Sequence, residues 1–139
     1  MKILSHVAAA LLGLVFVASG LVVLLHLVPK MPEPPEGSAT AHFMAAFVPT
    51  GYLTFVKVFE VLGGLLVILP FTRRAGLLVL GPILINILAF HALVAREGLF
   101  SPMLIVLCGL TLFLVWCERA AFAAFLRGSP RRACPPSGS

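Results

Sequence analysis

The stretch "VKVFEVLGGLLVIL", Val56 to Leu69, decides how this chain is read. It is apolar or small throughout except for Lys57 and Glu60, and it carries two adjacent glycines, Gly63 and Gly64. Lys57, Glu60 and Gly64 fall at i, i+3 and i+7, on one stripe of a helix. On a soluble helix such a pair would face water, but the residues around it leave no polar face. Extended to both sides, from about Pro49 to Leu69, the run has the roughly 20 mostly apolar residues that a helix needs to cross a bilayer.

Composition points the same way. Of 139 residues, 60% are hydrophobic and 11% charged, with a mean hydropathy of +1.11. A soluble domain carries about a quarter charged residues, so this chain lacks the polar surface to cover a soluble core. The net charge of +5 does not indicate nucleic-acid binding. Its cations sit between or beside apolar runs rather than on one amphipathic face with interleaved aromatics, a distribution that sets orientation in a membrane.

Four spans follow, at about 4–28, 49–69, 75–95 and 102–117. The fold class expected is all-α, a four-transmembrane-helix bundle of residues 1–119, followed by a basic, disordered cytoplasmic tail at 120–139. The first span begins like a secretory signal, Lys2 followed by "VAAALLGLVFVASG". Its apolar run continues to Val28, however, beyond a typical signal core, and reads as a retained helix. Lys2, Arg73, Arg74, Arg119, Arg127, Arg131 and Arg132 stand against Lys30 and Arg96, which puts both termini in the cytoplasm. "PKMPEPPEGS", Pro29 to Ser38, is too proline-rich for a helix and reads as an extended outer loop. "ATAHFMAAF", Ala39 to Phe47, reads as a short amphipathic piece at the interface.

At 1.5 Å per helical residue, depth can be counted. Tyr52 comes about 5 Å in from the outer side, Lys57 about 12 Å and Glu60 about 16 Å. On the third span Asn86 lies about 16 Å up from the inner side and His91 about 24 Å. By depth, Glu60 pairs with Asn86, and Tyr52 with His91 and His26; Ser19 could join the deeper layer. The expectation is one polar, ligand-binding pocket made by Tyr52, Lys57, Glu60, Asn86 and His91. A charge at a bilayer centre costs at least ~2.5–3.5 kcal/mol and such residues mark sites, although a satisfied Lys–Glu pair that merely fixes helix register is the competing reading. Asn86 is more often interhelical glue than ligand chemistry. Gly63 and Gly64 let another helix come close, and Pro82 removes a backbone donor four residues before Asn86.

Other chemistries have little support. Cys108, Cys117 and Cys134 show no CxxC and no metal-ligand spacing. Cys108 and Cys117 are roughly 13 Å apart on opposite faces of one helix. No HxxxH or HxxE occurs, so no metal site is expected; His26 and His91 are the only histidines at similar depth on different helices that could hold a haem.

The order of these features resembles the DoxX-like family of small four-helix membrane proteins. The resemblance is carried by "LGLVFVASGL" (12–21), "VPKMPEPPE" (28–36) followed by "FMAAFVPTGYL" (43–53), "VKVFEVLGGLLVIL" (56–69) and "LGPILINILAFH" (80–91). It covers roughly Leu11 to Arg119. Its most specific parts are Glu-x-x-Gly-Gly and Pro-x-x-x-Asn…Phe-His. One departure is that the family often has a lysine shortly after the Ser-Gly of the first span, where this chain reads Leu21-Val22-Val23. The resemblance implies a bacterial plasma membrane location and Glu60, Asn86 and His91 as matching polar positions. Some relatives are subunits of quinone-linked oxidoreductases, so a quinone is the cofactor it implies, with a redox enzyme subunit or a homo-oligomer as partner beside the lipid bilayer.

Three functions then compete. One is a non-catalytic assembly or accessory component of the membrane. Another is a membrane subunit of a quinone-linked oxidoreductase with a polar pocket around Glu60 and Asn86. A proton-coupled transporter has its buried carboxylate but no inverted repeat.

Overall fold

A computed structural model of the protein describes residues 2–27, 33–96 and 98–127. The start of the proline-rich loop with Lys30, the residue Glu97, and the basic tail from residue 128 with Cys134 lie outside the described residues. The described chain is all helical: α1 (Lys2–Leu24), α2 (Ala39–Phe47), α3 (Tyr52–Ile68), α4 (Arg73–Ala89) continued by a π-helical stretch (Phe90–Ala95), α5 (Pro102–Cys117) and α6 (Arg119–Leu126). Two helices, α1 and the continuous Arg73–Ala95, are long and apolar enough to cross a membrane by themselves. Two further spans are available if bent pairs count as one each, α2 with α3 at 83° and α5 with α6 at 65°.

Local chemistry sets the ends of these helices. Ser38 caps α2 by accepting from the Ala41 N–H at 3.1 Å, and Ser101 followed by Pro102 opens α5 in the same way, accepting from Leu104. α1 stops at Leu24 rather than near Val28, because His26 adopts a left-handed φ of 53° and the Leu27 N–H turns back to the Val22 carbonyl. α3 starts at Tyr52 rather than Pro49. Gly51, at φ 74°, turns the chain sharply out of α2. Between α3 and α4 the last carbonyls of α3 find side-chain donors: Thr72 Oγ1 donates to Leu66 O at 2.9 Å and Arg73 Nε to Val67 O at 3.4 Å. Residues 120–126, expected to belong to a disordered tail, form α6 together with Arg119. Their sequence "RAAFAAFL" is dominated by strong helix formers, and Glu118 at the bend ties to Arg74 at 2.8 Å.

The packing is organised by glycines. α1 lies against α3 and, less extensively, α5; α3 lies against α4. A Cβ on Gly13 would stand 2.5 Å from the Gly64 carbonyl oxygen, and one on Gly64 would stand 2.8 Å from that of Gly13. Seven residues further along α1, Gly20 meets Val61 and the Lys57 carbonyl in the same manner. On the other side of α3, Gly63 faces Leu80, and Gly76 of α4 faces Val67 and the Gly63 carbonyl. The adjacent glycines of α3 therefore serve two neighbours, Gly64 for α1 and Gly63 for α4. Lipid tails are as apolar as leucine, so such close approach, with its van der Waals gain, is what holds membrane helices together. Leu12, Phe16, Val67, Leu80, Leu84 and Leu114 fill the space that the three seams enclose.

Candidate functional site

Lys57 and Glu60 form an ion pair one turn apart on α3. Lys57 Nζ donates to both carboxylate oxygens of Glu60, at 2.9 and 2.8 Å. Ser19 of α1 completes the cluster, its hydroxyl donating to Glu60 Oε2 and accepting from Lys57, each at 3.4 Å. The local cause is the seam itself. Gly20 brings the α1 backbone onto the Lys57–Val61 turn, and its neighbour Ser19 arrives beside the carboxylate. Glu60 is only 2% exposed. The partners of its carboxylate lie within the protein, on α3 and α1.

Asn86 does not join it. The side chain is exposed on α4 and lines a different groove, between α3 and α4, together with Tyr52, Phe55, Phe59, Pro82 and Ile83. This groove measures about 350 Å³ and includes neither Lys57 nor Glu60. The depth count sets Glu60 and Asn86 at one level, but Asn86 lies on a different side of α4 from the face that packs inward. Gly76, Leu77, Leu80 and Leu84 are the buried residues that face inward. At 100° per residue, Asn86 points about 135° away from their mean direction.

Tyr52 and His91 lie at the same end of the molecule and are joined through α2. Tyr52 stacks on Phe47, with ring centroids 4.8 Å apart, Phe47 on Phe43 at 4.4 Å, and Phe43 on Phe90 at 4.9 Å, beside which stands His91. His91 sits in the π-helical stretch, its Nδ1 at 2.9 Å from the Ile87 carbonyl. It borders a second, wider groove of about 520 Å³ with Arg96, Gly98 and Ser101. His26 is exposed just beyond the end of α1. The five expected site residues are thus distributed over three places: an ion pair with Ser19, an open Tyr52–Asn86 groove, and a His91 corner.

Two residues carry more than the sequence reading gave them. Ser19 is a full member of the cluster, and the signal was the Ser-Gly step itself, a small residue pair where α1 must approach α3. Arg73, counted only as an inner-turn cation, is 3% exposed. Its Nη2 has no hydrogen-bond partner among the described residues. The run of Tyr52, Phe55 and Phe59 at i, i+3 and i+7 was a visible stripe whose groove-lining role depended on where α4 lay.

The cluster can fix two helices against each other, with the Glu60 carboxylate buried and only Lys57 and Ser19 partly exposed. The Tyr52–Asn86 groove offers a hydroxyl and an amide between aromatic walls. Neither can carry electrons. Comparison of the chain with models of known families, with curated proteins and with solved structures gave no significant match.

Proposed function

We propose that the chain is a multi-pass integral membrane protein, a four-helix bundle with both termini in the cytoplasm, that has no catalytic activity of its own. It serves as an assembly or accessory component of the membrane, that of a bacterial cell in the family it resembles. In this reading α3 makes the second span and α5 the fourth, while α2, bent 83° from α3, lies along the outer surface and α6 along the inner one. The observation that carries it is the burial of Glu60 against Lys57 and Ser19. A carboxylate that served a ligand or a proton path would be expected to line a cavity, whereas Glu60 is buried against Ser19 and its own Lys57. The charge pair then acts between helices, setting α1 against α3.

Separate and combined substitutions test this. Lys57→Met leaves the buried Glu60 carboxylate unpaired, which costs about 3–5 kcal/mol, and Glu60→Gln leaves the partly exposed Lys57 unpaired, which costs less. The double variant removes both charges and recovers most of the Lys57→Met loss if the pair is structural. A double variant that folds like the wild type yet abolishes a cellular function of the protein would show that the charges act on something other than helix packing. Orientation is checked by labelling single cysteines at Lys2 and Gly98 in intact cells. Protection at Lys2 and labelling at Gly98 are expected, and the reverse pattern contradicts the topology.

A second reading, a membrane subunit of a quinone-linked oxidoreductase, draws on the Tyr52–Asn86 groove. Donors inside an apolar cleft can hydrogen-bond the carbonyls of a quinone ring, and the electron carrier would have to come from a redox partner. Co-purification separates the two readings. A bound quinone together with a flavin-, haem- or iron–sulfur-containing subunit favours the second, and recovery without either favours the first.

A further inference from the structure

Asn86 is exposed near the middle of a helix long enough to cross a membrane. No side-chain hydrogen bond among the described residues involves it. An amide in hydrocarbon without a partner is costly, and a polar side chain on a membrane helix usually bonds across to another helix. Among the described residues, no helix that packs on α4 gives Asn86 a hydrogen-bond partner, which leaves its amide open to another molecule.

We infer that this other molecule is a second copy of the chain, and that two copies meet along α4 with Asn86 against Asn86. The carboxamide is the side chain best suited to meet itself, because it holds a C=O acceptor and an N–H donor side by side. A two-fold axis sets a residue against its own copy, so both amides are satisfied by one symmetric contact. The surrounding face has the matching periodicity. Ala75, Val79, Pro82, Asn86, Ala89 and Leu93 follow at alternating intervals of four and three, the spacing of a helix–helix seam, in which a single asparagine fixes register and oligomer state. None of the six is buried, and Leu93 is 72% exposed. Pro82 removes one backbone donor on this face, the N–H that would otherwise meet the carbonyl of Leu78 four residues earlier. The groove beside Asn86, about 350 Å³, gives room for side chains from the partner helix. The inference rests on the proposed membrane crossing of α4 and goes beyond it.

The test uses the full chain in vesicles of phosphatidylcholine and phosphatidylglycerol, with donor- and acceptor-labelled populations mixed and diluted in lipid. Energy transfer that falls reversibly with dilution, fitted by a dimer, is expected. Asn86→Leu should weaken the dimer roughly 3- to 30-fold, the range for interhelical polar contacts, and Asn86→Gln should retain most of its strength. With Cys108, Cys117 and Cys134 replaced by serine, Ala89→Cys on the α4 seam should cross-link, and Ile105→Cys on α5 should not. Monomers at every dilution, an Asn86→Leu dimer as strong as the wild type, or cross-linking through Ile105 alone would overturn the proposal. So would native mass spectrometry showing monomers that keep a small apolar molecule only while Asn86 is present. Release of the chain from membranes by alkaline carbonate is a separate failure, because it removes the membrane crossing itself whatever the state of association.

Discussion

Replacing Gly76 by alanine adds one methyl group at the tightest point between α3 and α4. The new Cβ would stand 2.5 Å from the Val67 backbone nitrogen, 2.6 Å from Val67 Cγ2 and 2.9 Å from the Gly63 carbonyl oxygen, where ordinary contact begins at 3.4 Å. Two of these three atoms are backbone, so no rotamer change removes the overlap and the helices must part by close to an ångström. Overpacking of this kind costs about 1–3 kcal/mol. Alanine returns up to about 1 kcal/mol through its better helix propensity. Because the obstruction is backbone, the cost lies at the upper end, and a net loss of about 2 kcal/mol is expected, near thirty-fold in the folding equilibrium. Gly109 of α5 supplies the control: it has nothing within 4 Å of an added Cβ, so Gly109→Ala should be neutral or slightly stabilising. Reversible unfolding by sodium dodecyl sulfate in mixed micelles, followed by circular dichroism, reads both. A Gly76→Ala protein that unfolds at the wild-type detergent fraction, or a Gly109→Ala protein destabilised as much, refutes the idea that glycine seams hold the bundle.

The same unfolding assay ranks the remaining substitutions. Ser19→Ala removes two long hydrogen bonds at 3.4 Å but leaves the ion pair, so it should cost about 1 kcal/mol or less; a loss as large as that of Lys57→Met contradicts the assigned roles. Arg74→Gln should cost less than about 1 kcal/mol, and less still in high salt, because Arg74 is 64% exposed in its pair with Glu118. A salt-independent loss of several kcal/mol disproves that estimate. Arg73→Met should leave stability unchanged or raise it, since the guanidinium is buried with one long bond and an unmet Nη2. Arg73→Ala should lower stability by about 2–4 kcal/mol through the cavity it opens, and equal losses in the two variants would show that the charge itself is needed.

Much of the architecture was legible because the strongest signals in the chain are length and punctuation. Long apolar runs give the helices, Pro49 and Leu69 bound the run that holds α3, and the proline-rich stretch Pro29 to Ser38 ends where α2 begins. Depth could be counted as an expectation, since the rise per residue is fixed. Azimuth could not. α3 carries its own pointer, because Lys57, Glu60 and Gly64 share a stripe. α4 is apolar on nearly every side, and a helix of that kind gives no amphipathic sign of which face turns inward. Its rotation is set by Gly76 against Val67 and Gly63, a contact that depends on where α3 stands. Glu60 and Asn86 could thus be placed at one height and still face different surroundings. The end of α1 escaped for a different reason. Leu25 and Leu27 continue the apolar run around His26, and only the left-handed turn at His26 stops the helix short.

The seam between α1 and α3 suggests why a charge pair is placed where it is most costly. Gly13 meets Gly64, and Gly20 meets the Lys57 carbonyl. The interval is seven residues on each helix, run in opposite directions, so both close contacts form in one antiparallel register. Apolar side chains alone would discriminate poorly among registers, because valine and leucine cover both helices and lipid competes equally for every face. A shift of one turn would set Phe16 or Val17, instead of Gly13, against the Gly64 carbonyl and would carry Ser19 away from Glu60. Lys57 and Glu60 already pair within α3, so they do not require α1 in order to be neutralised. What α1 adds in the correct register is the hydroxyl of Ser19 and the near-complete covering of the Glu60 carboxylate by a backbone that only glycine lets so close. The pair is therefore better understood through the registers it disfavours than through the energy it contributes, which for a buried ion pair can be close to nil.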